Sequence, residues 1–416
     1  MNLATGPLPA FSGYGIELEY MIVHRDSLSV LPIADRLLRK AGAVGAELRT
    51  GRFAWSNELV LHLVEIKNAE PEPHLEGLAT GFQAEISRID GLLAEFGARL
   101  MPGAMHPWMD PAIETRLWPH QNEAIYRTYD RIFGCRSHGW ANIQSMHLNL
   151  PFAGDEEFER LHAAVRLLLP ILPALAASSP VAEGRTRAAL DFRMECYRSH
   201  TARLPSLLGR LIPDNASSRS DYEAAVLAPM YREVAALDPD GVLRHEWLNS
   251  RGTIPRFERS ALEIRIIDLQ ECPWADLAVA ALACGVAREL YAGRWSALQA
   301  QQRTDTGSLA EILLSCIRDG ERAVIADAEY LGLLGFPRGS CEARELWCHL
   351  LGECASDPLL SGEYRVPLDT ILSRGPLARR ILRALGDGYG RSQLESVYRQ
   401  LCDCLAAGRL FLGPEP

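Results

Sequence analysis

The chain has 416 residues, 48% hydrophobic and 23% charged, enough for one large domain with an appendage or for two to three ordinary domains. Its formal charge of −10 argues against sequence-independent binding of nucleic acid, because neutralising phosphates takes a basic surface. Lys40 and Lys67 are the only lysines, and neither follows the glycine-rich turn of a P-loop, so a nucleotide here has to be met by other cations.

In chain order, the amino-terminal stretch MNLATGPLPAFSGYG lacks the basic region and apolar core of a leader, and ten scattered cysteines form no compact framework. Reduced thiols in the cytoplasm are expected. Residues 15–23 are predicted as a strand, 33–41 as a short helix and 59–66 as a second strand. Leu75, Leu78, Phe82, Ile86, Ile89 and Leu93 give 73–100 helical spacing, and four prolines mark 101–135 as loop. A strand over 145–150, a helix over 156–176 and a turn-rich basic stretch over 178–222 follow. Residues 261–269 alternate as a strand. A helix then starts at Pro273, complements its dipole with Asp276 and runs to Tyr291. No apolar run reaches the ~20 uncharged residues of a membrane span. Beyond about residue 300 only helices separated by glycines are predicted, which divides the chain into residues 1–300 and a helical region 301–416.

Three of the strands share one design. Side chains alternate along a strand, so Glu17 and Glu19 face one way while Ile16, Leu18 and Tyr20 face the other. His147 and Asn149 share a face opposite Met146, Leu148 and Leu150; Glu263 and Arg265 share a face opposite Leu262, Ile264 and Ile266. A polar face is ordinary where an antiparallel sheet meets water. Glu-x-Glu, His-x-Asn and Glu-x-Arg are less ordinary, because neighbouring carboxylates repel unless a cation lies between them. Carboxylates with one imidazole suit Mg²⁺ or Mn²⁺. Glu58 and Glu65 add a further acidic pair, but seven residues of continuous strand would set them on opposite faces. Either Glu58 precedes the strand in a turn or a bulge resets the register. His62 shares parity with Glu58 and is either a ligand or a core residue.

With these residues in view, the chain resembles the glutamate–cysteine ligase family, in its bacterial carboxylate–amine ligase branch, within the glutamine synthetase-like superfamily. The resemblance covers roughly 13–292 and rests on GYGIELEY (13–20), the acidic element ending at Glu65, GAMHPW (103–108), YRTYDRIFG (126–134), SMHLNL (145–150), LAASSP (175–180) and ALEIRIID (261–268). It implies an α+β fold: a curved, mainly antiparallel sheet with a polar concave face, backed by helices. It further implies a catalytic domain over 1–300 that uses ATP and Mg²⁺ (or Mn²⁺) to join a carboxylate to an amine through an acyl phosphate. The first candidates are glutamate and cysteine; another acid–amine pair, or an inactive binding homologue, is the alternative.

By the same resemblance, Glu17, Glu19, Glu58, Glu65, His147 and Glu263 hold metal, with a Glu58–His62 pairing as the other alignment of the second acidic pair. Arg265 and Glu65 are the expected catalytic residues. Arg265, with Arg251 or Arg256, contacts phosphates; His106 lines the substrate pocket; Asn149 stands where many members carry a second histidine. Small-molecule substrates, no nucleic acid and no membrane are expected. A homo-oligomer is left open, with the helices beyond 300 capping the site, forming an interface or binding a partner.

Overall fold

A computed structural model describes residues 6–415; residues 1–5, the start of the stretch read for a leader, lie outside the described residues. Eight strands form one sheet: β1 (Gly15–His24), β2 (Glu47–Thr50), β3 (Phe53–Asn57), β4 (Leu63–Asn68), β5 (Ala98–Met101), β6 (Ser145–Pro151), β7 (Thr253–Arg256) and β8 (Ala261–Asp268). Their order is β2-β3-β4-β1-β6-β8-β7, and every pairing is antiparallel. Strand β1 changes partner along its length. Gly15–Leu18 pair with β6, whereas Met21–His24 pair with β5.

The greasy face of this sheet forms because Ile16, Leu18, Tyr20, Val64, Ile66, Met146, Leu148 and Leu150 alternate with polar neighbours, and all of them are buried. Against it pack α2 (Leu78–Ala94), α4 (Gly154–Leu168) and α5 (Pro273–Tyr291); α1 (Ala34–Ala41) precedes α2, and α3 (Glu123–Phe133) lies between α2 and α4 in the chain. Helix α2 presents Leu78, Phe82, Ile86, Ile89 and Leu93 to the core, each side chain contributing roughly 1.5–3 kcal/mol by burial. Helix α5 is apolar almost all round, as befits a helix covered on all sides, and Pro273 sits in its first turn. Further helices beyond residue 300 share the core: Tyr330 donates to the Leu167 carbonyl and Trp347 to that of Ile171. The last helix, α6 (Arg391–Ala407), lies on β5, where Asp403 pairs with Arg99 at 2.9 Å.

Three expectations shift. The strand placed at 59–66 runs instead over Leu63–Asn68, because Leu61 donates its N–H to Arg116 and leaves the ladder. Glu58 therefore sits in the turn between β3 and β4, and no bulge is involved. The stretch 101–135, expected to be loop, contains α3 after its last proline, Pro119, and α3 ends at the capping glycine Gly134. Beyond residue 300 there is a two-residue strand pair, Val324–Ile325 with Cys341–Glu342. All ten cysteines are free, and no described helix is long and apolar enough to cross a membrane.

Candidate active site

Register builds the polar face row by row. In one row Lys67, Glu17 and His147 are direct cross-strand neighbours; in the next, Ser56, Glu65 and Glu19 are. Each of these residues was placed there by period-two alternation on a strand whose other face is buried. A slip of one residue would turn the whole set inward, so the apolar back fixes the acidic front.

The carboxylates converge into two donor sets that share one member. Glu17, Glu65 and His147 each offer a ligand atom within 4.8 Å of the others, and so do Glu19, Glu58 and Glu65. Hard oxygens with a single imidazole are the donors that Mg²⁺ and Mn²⁺ accept, so the residues fit such ions. Neighbouring side chains compensate part of the charge. His147 Nδ1 lies 3.1 Å from Glu17 and its Nε2 lies 3.7 Å from Glu19. Glu65 accepts from Ser56 Oγ at 2.8 Å and Lys67 Nζ at 2.9 Å, while Glu19 accepts the Ser145 N–H at 2.7 Å.

The electrostatics follow. Burial opposes charge on His147, yet its hydrogen bond to Glu17 and the charges of Glu19 and Glu263 raise its pKa to about 9. Burial also pushes the Glu17 carboxyl up, but the His147 hydrogen bond and charge, with Lys67, bring it below its usual value despite Glu263. Burial raises Glu19, with Glu65 adding to the rise and His147 opposing it. Glu58 is raised furthest, by burial first and then by Glu65 and Glu19.

Glu263 stands beside these sets and belongs to neither. Arg256 donates to one of its oxygens at 2.8 Å and Arg265 to the other at 2.7 Å. Burial would raise its pKa, but Arg265, His147 and Arg256 hold it at about 2. Arg265 lies at a bulge: the β8–β6 register shifts between Ile264 and Ile267, and its own N–H bonds Gly252. Asn149 donates to Glu17 at 3.2 Å.

The remaining expected residues lie apart. Arg251 is buried and spends its guanidinium on the Ser206 carbonyl and Asn249. His106 is buried, with Nε2 2.8 Å from the Leu28 carbonyl oxygen, and burial holds its pKa at about 3. His62 is a core residue: it is fully buried, its Nε2 meets the Ala141 carbonyl oxygen at 2.7 Å, and burial lowers its pKa to about 4.

A cavity of about 220 Å³ opens beside the acidic cluster, walled by Glu19, Glu58, His147 and Arg265 on the sheet side. Its other wall is aromatic, and the sequence reading missed most of it. Tyr129 packs against Trp140 at 5.1 Å and Trp247 at 5.9 Å, and Trp140 against His200 at 4.6 Å. Tyr126 and Tyr129 lie one turn apart on α3; the family resemblance quoted YRTYDRIFG, but the loop reading of 101–135 hid their helical spacing of three. Arg193, Tyr197 and His200 had no such signal. They sit on and after a six-residue helix, Phe192–Tyr197, that Asp191 caps by accepting the Met194 N–H.

The model of glutamate-cysteine ligase family 2 (GCS2) matches residues 14–330. An uncharacterized protein from Archaeoglobus fulgidus is 35% identical over 279 residues, covering 66% of this chain and 73% of that relative. Among solved structures, a glutamate–cysteine ligase from Francisella tularensis in complex with AMP superposes with a TM-score of 0.57. That match covers 95% of this chain and 89% of the other at 13% identity, which shows a shared glutamine synthetase-like fold.

Proposed function

Because the chain belongs to glutamate-cysteine ligase family 2, we propose that it is an ATP-dependent ligase that joins an amino-acid carboxylate to an amine, with glutamate and cysteine as the first pair to test. One observation carries this reading: two donor sets meet at Glu65 on a single sheet face, beside an arginine. Glu17, Glu65 and His147 would hold one divalent ion, and Glu19, Glu58 and Glu65 a second. Bound there, the ions would neutralise a triphosphate that carboxylates alone repel.

The rest falls to side chains. A carboxylate oxygen of the acid attacks the γ-phosphorus, releasing ADP and leaving an acyl phosphate; the amine then displaces phosphate and loses a proton. Arg265 stabilises charge on the phosphoryl group in flight. Glu263 positions Arg265 by holding its Nε and Nη2, and Arg256 closes the same brace. The aromatic wall excludes water from the acyl phosphate.

That wall also favours a second reading, in which one substrate is larger and more apolar than cysteine. Tyr129, Trp140 and Trp247 offer stacking surface that a thiol side chain leaves unused. ADP release over a panel of acids and amines with Mg²⁺ or Mn²⁺ separates the readings. Turnover that requires glutamate and cysteine supports the first, and turnover with aromatic or bulky partners the second. Silence across a broad panel rejects catalysis.

A further inference from the structure

Away from the sheet, a cavity of about 450 Å³ lies between the segment around Arg187 and the helices beyond residue 300. Arg187, Arg318, Arg322 and Arg379 line it, and Asp319 is the one acid among its described lining residues. In a chain of net charge −10, four guanidiniums around one hollow are against the general balance. Their local acids do not match them. Glu183 pairs with Arg187, Asp319 with Arg318 at 2.7 Å, and Glu321 is divided between Arg379 at 2.8 Å and Arg322 at 3.3 Å.

Arg383 lies outside that lining but near enough for its charge to add to those of Arg379 and Arg322. Arg383 Nη2 is buried without a hydrogen-bond partner. Burial and the charges of Arg379, Arg380 and Arg322 hold this guanidinium below the usual arginine range, although Glu321 opposes them. Arg318 and Arg322, by contrast, are 62% and 66% exposed, long enough to reach a ligand by exchanging their pairing with Asp319 and Glu321.

We propose that this arginine-lined cavity binds a small, multiply charged anion of the phosphate or polycarboxylate kind. Arginine forks match both groups, which present paired oxygens to paired N–H donors. The position gives the site a neighbour of interest. Leu190 and Asp191 donate their N–H groups to the carbonyls of Arg318 and Ile317, each at 3.0 Å, and Asp191 caps the helix that carries Arg193 and Tyr197 into the aromatic cavity. Gly320, with φ of 61°, makes the turn against Leu190 that closes the two segments together.

The test is calorimetric titration of metal-free protein with inorganic pyrophosphate and, separately, with citrate at low ionic strength. The protein is stripped of metal with EDTA and then dialysed free of the chelator, itself a polycarboxylate, so that the carboxylates of the sheet repel either probe and nothing competes for the arginines. We expect saturable binding of at least one probe by the full-length protein, weakened at least tenfold in Arg318→Gln/Arg322→Gln and unchanged in Glu17→Gln. Pyrophosphate alone would identify a phosphate site; comparable binding of both, a site that reads charge. No heat from either probe, or unaltered affinity in the double variant, overturns the proposal. Should the double variant melt lower than the parent, the single Arg322→Gln change carries the comparison.

Discussion

Glu58 is the carboxylate whose charge the structure answers least. It lies in the turn before β4, and its ligand oxygen is within 4.8 Å of those of both Glu19 and Glu65. Two unit charges at that separation repel by on the order of 3 kcal/mol at an effective dielectric constant of about 20. Lys67 offsets part of this. Replacing it in Glu58→Gln keeps the shape and removes the charge, so the metal-free variant gains about 1–3 kcal/mol, or about 1–3 °C in melting temperature for a chain of this length.

The sign can be checked by pH. Burial and its neighbours raise the folded pKa of Glu58 above the unfolded value of 4.5. Its contribution is therefore present below pH 4.5 and lost as pH rises through the folded pKa, so the variant's advantage in EDTA is larger at pH 8 than at pH 5. With Mg²⁺ or Mn²⁺ the order reverses. The parent is stabilised by binding, and the variant, missing a donor from one set, keeps only a fraction of that shift. Differential scanning fluorimetry in EDTA and in 5–10 mM metal (about 5–10 mM, well above ordinary affinities) reads both effects. A lower melting temperature for Glu58→Gln in EDTA, or an undiminished metal shift, would refute the cage.

Arg265→Lys keeps the charge but loses the fork that grips Glu263; ADP release should fall about 10²–10³-fold in kcat with little change in KM for ATP, measured by a coupled assay. Gly139 lines the aromatic cavity, and a Cβ there would lie 2.8 Å from both the Cys196 carbonyl oxygen and His200 Cβ, so Gly139→Ala should lower kcat/KM at least ~10-fold with circular dichroism unchanged. Burial lowers His62 and His200 to about 4 and His106 and His162 to about 3, so these rings are neutral in the fold. Their folded pKa values lie below the unfolded 6.5, which places their contribution above pH 6.5 and its loss between 6.5 and about 3. For His62 alone that loss is on the order of 3 kcal/mol. Urea midpoints should drop steeply over this window, and less steeply in His162→Leu.

The polar rows of the sheet were legible because alternation reports which face a residue takes, and the apolar back of each strand confirmed it. Alternation put Glu17 and Glu19 on one face and His147 on another strand's polar face; that these meet Glu65 was implied by the family resemblance, and the register brings them together. Position within a turn has no period, so the sequence left Glu58 with two geometries, and it left His62 between core and site until its bond to Ala141 decided the matter. The bulge at Arg265 was invisible for a related reason: Ile266 and Ile267 are both buried, and either could serve as the inward residue of a regular strand. Arg193 and Tyr197 come from a stretch of short helices and turns, where neither period runs long enough to be read.

The change of partner along β1 has a consequence for how such a chain diverges. Where β5 ends and β6 has yet to begin, residues 102–144 leave the ladder and return to it, carrying Tyr126, Tyr129 and Trp140 with them. Insertions and exchanges in that excursion leave the pairing of Glu17 with His147 and of Glu19 with Glu65 untouched. The part of the aromatic wall carried by that stretch can be exchanged while the acidic ladder beneath it keeps its register.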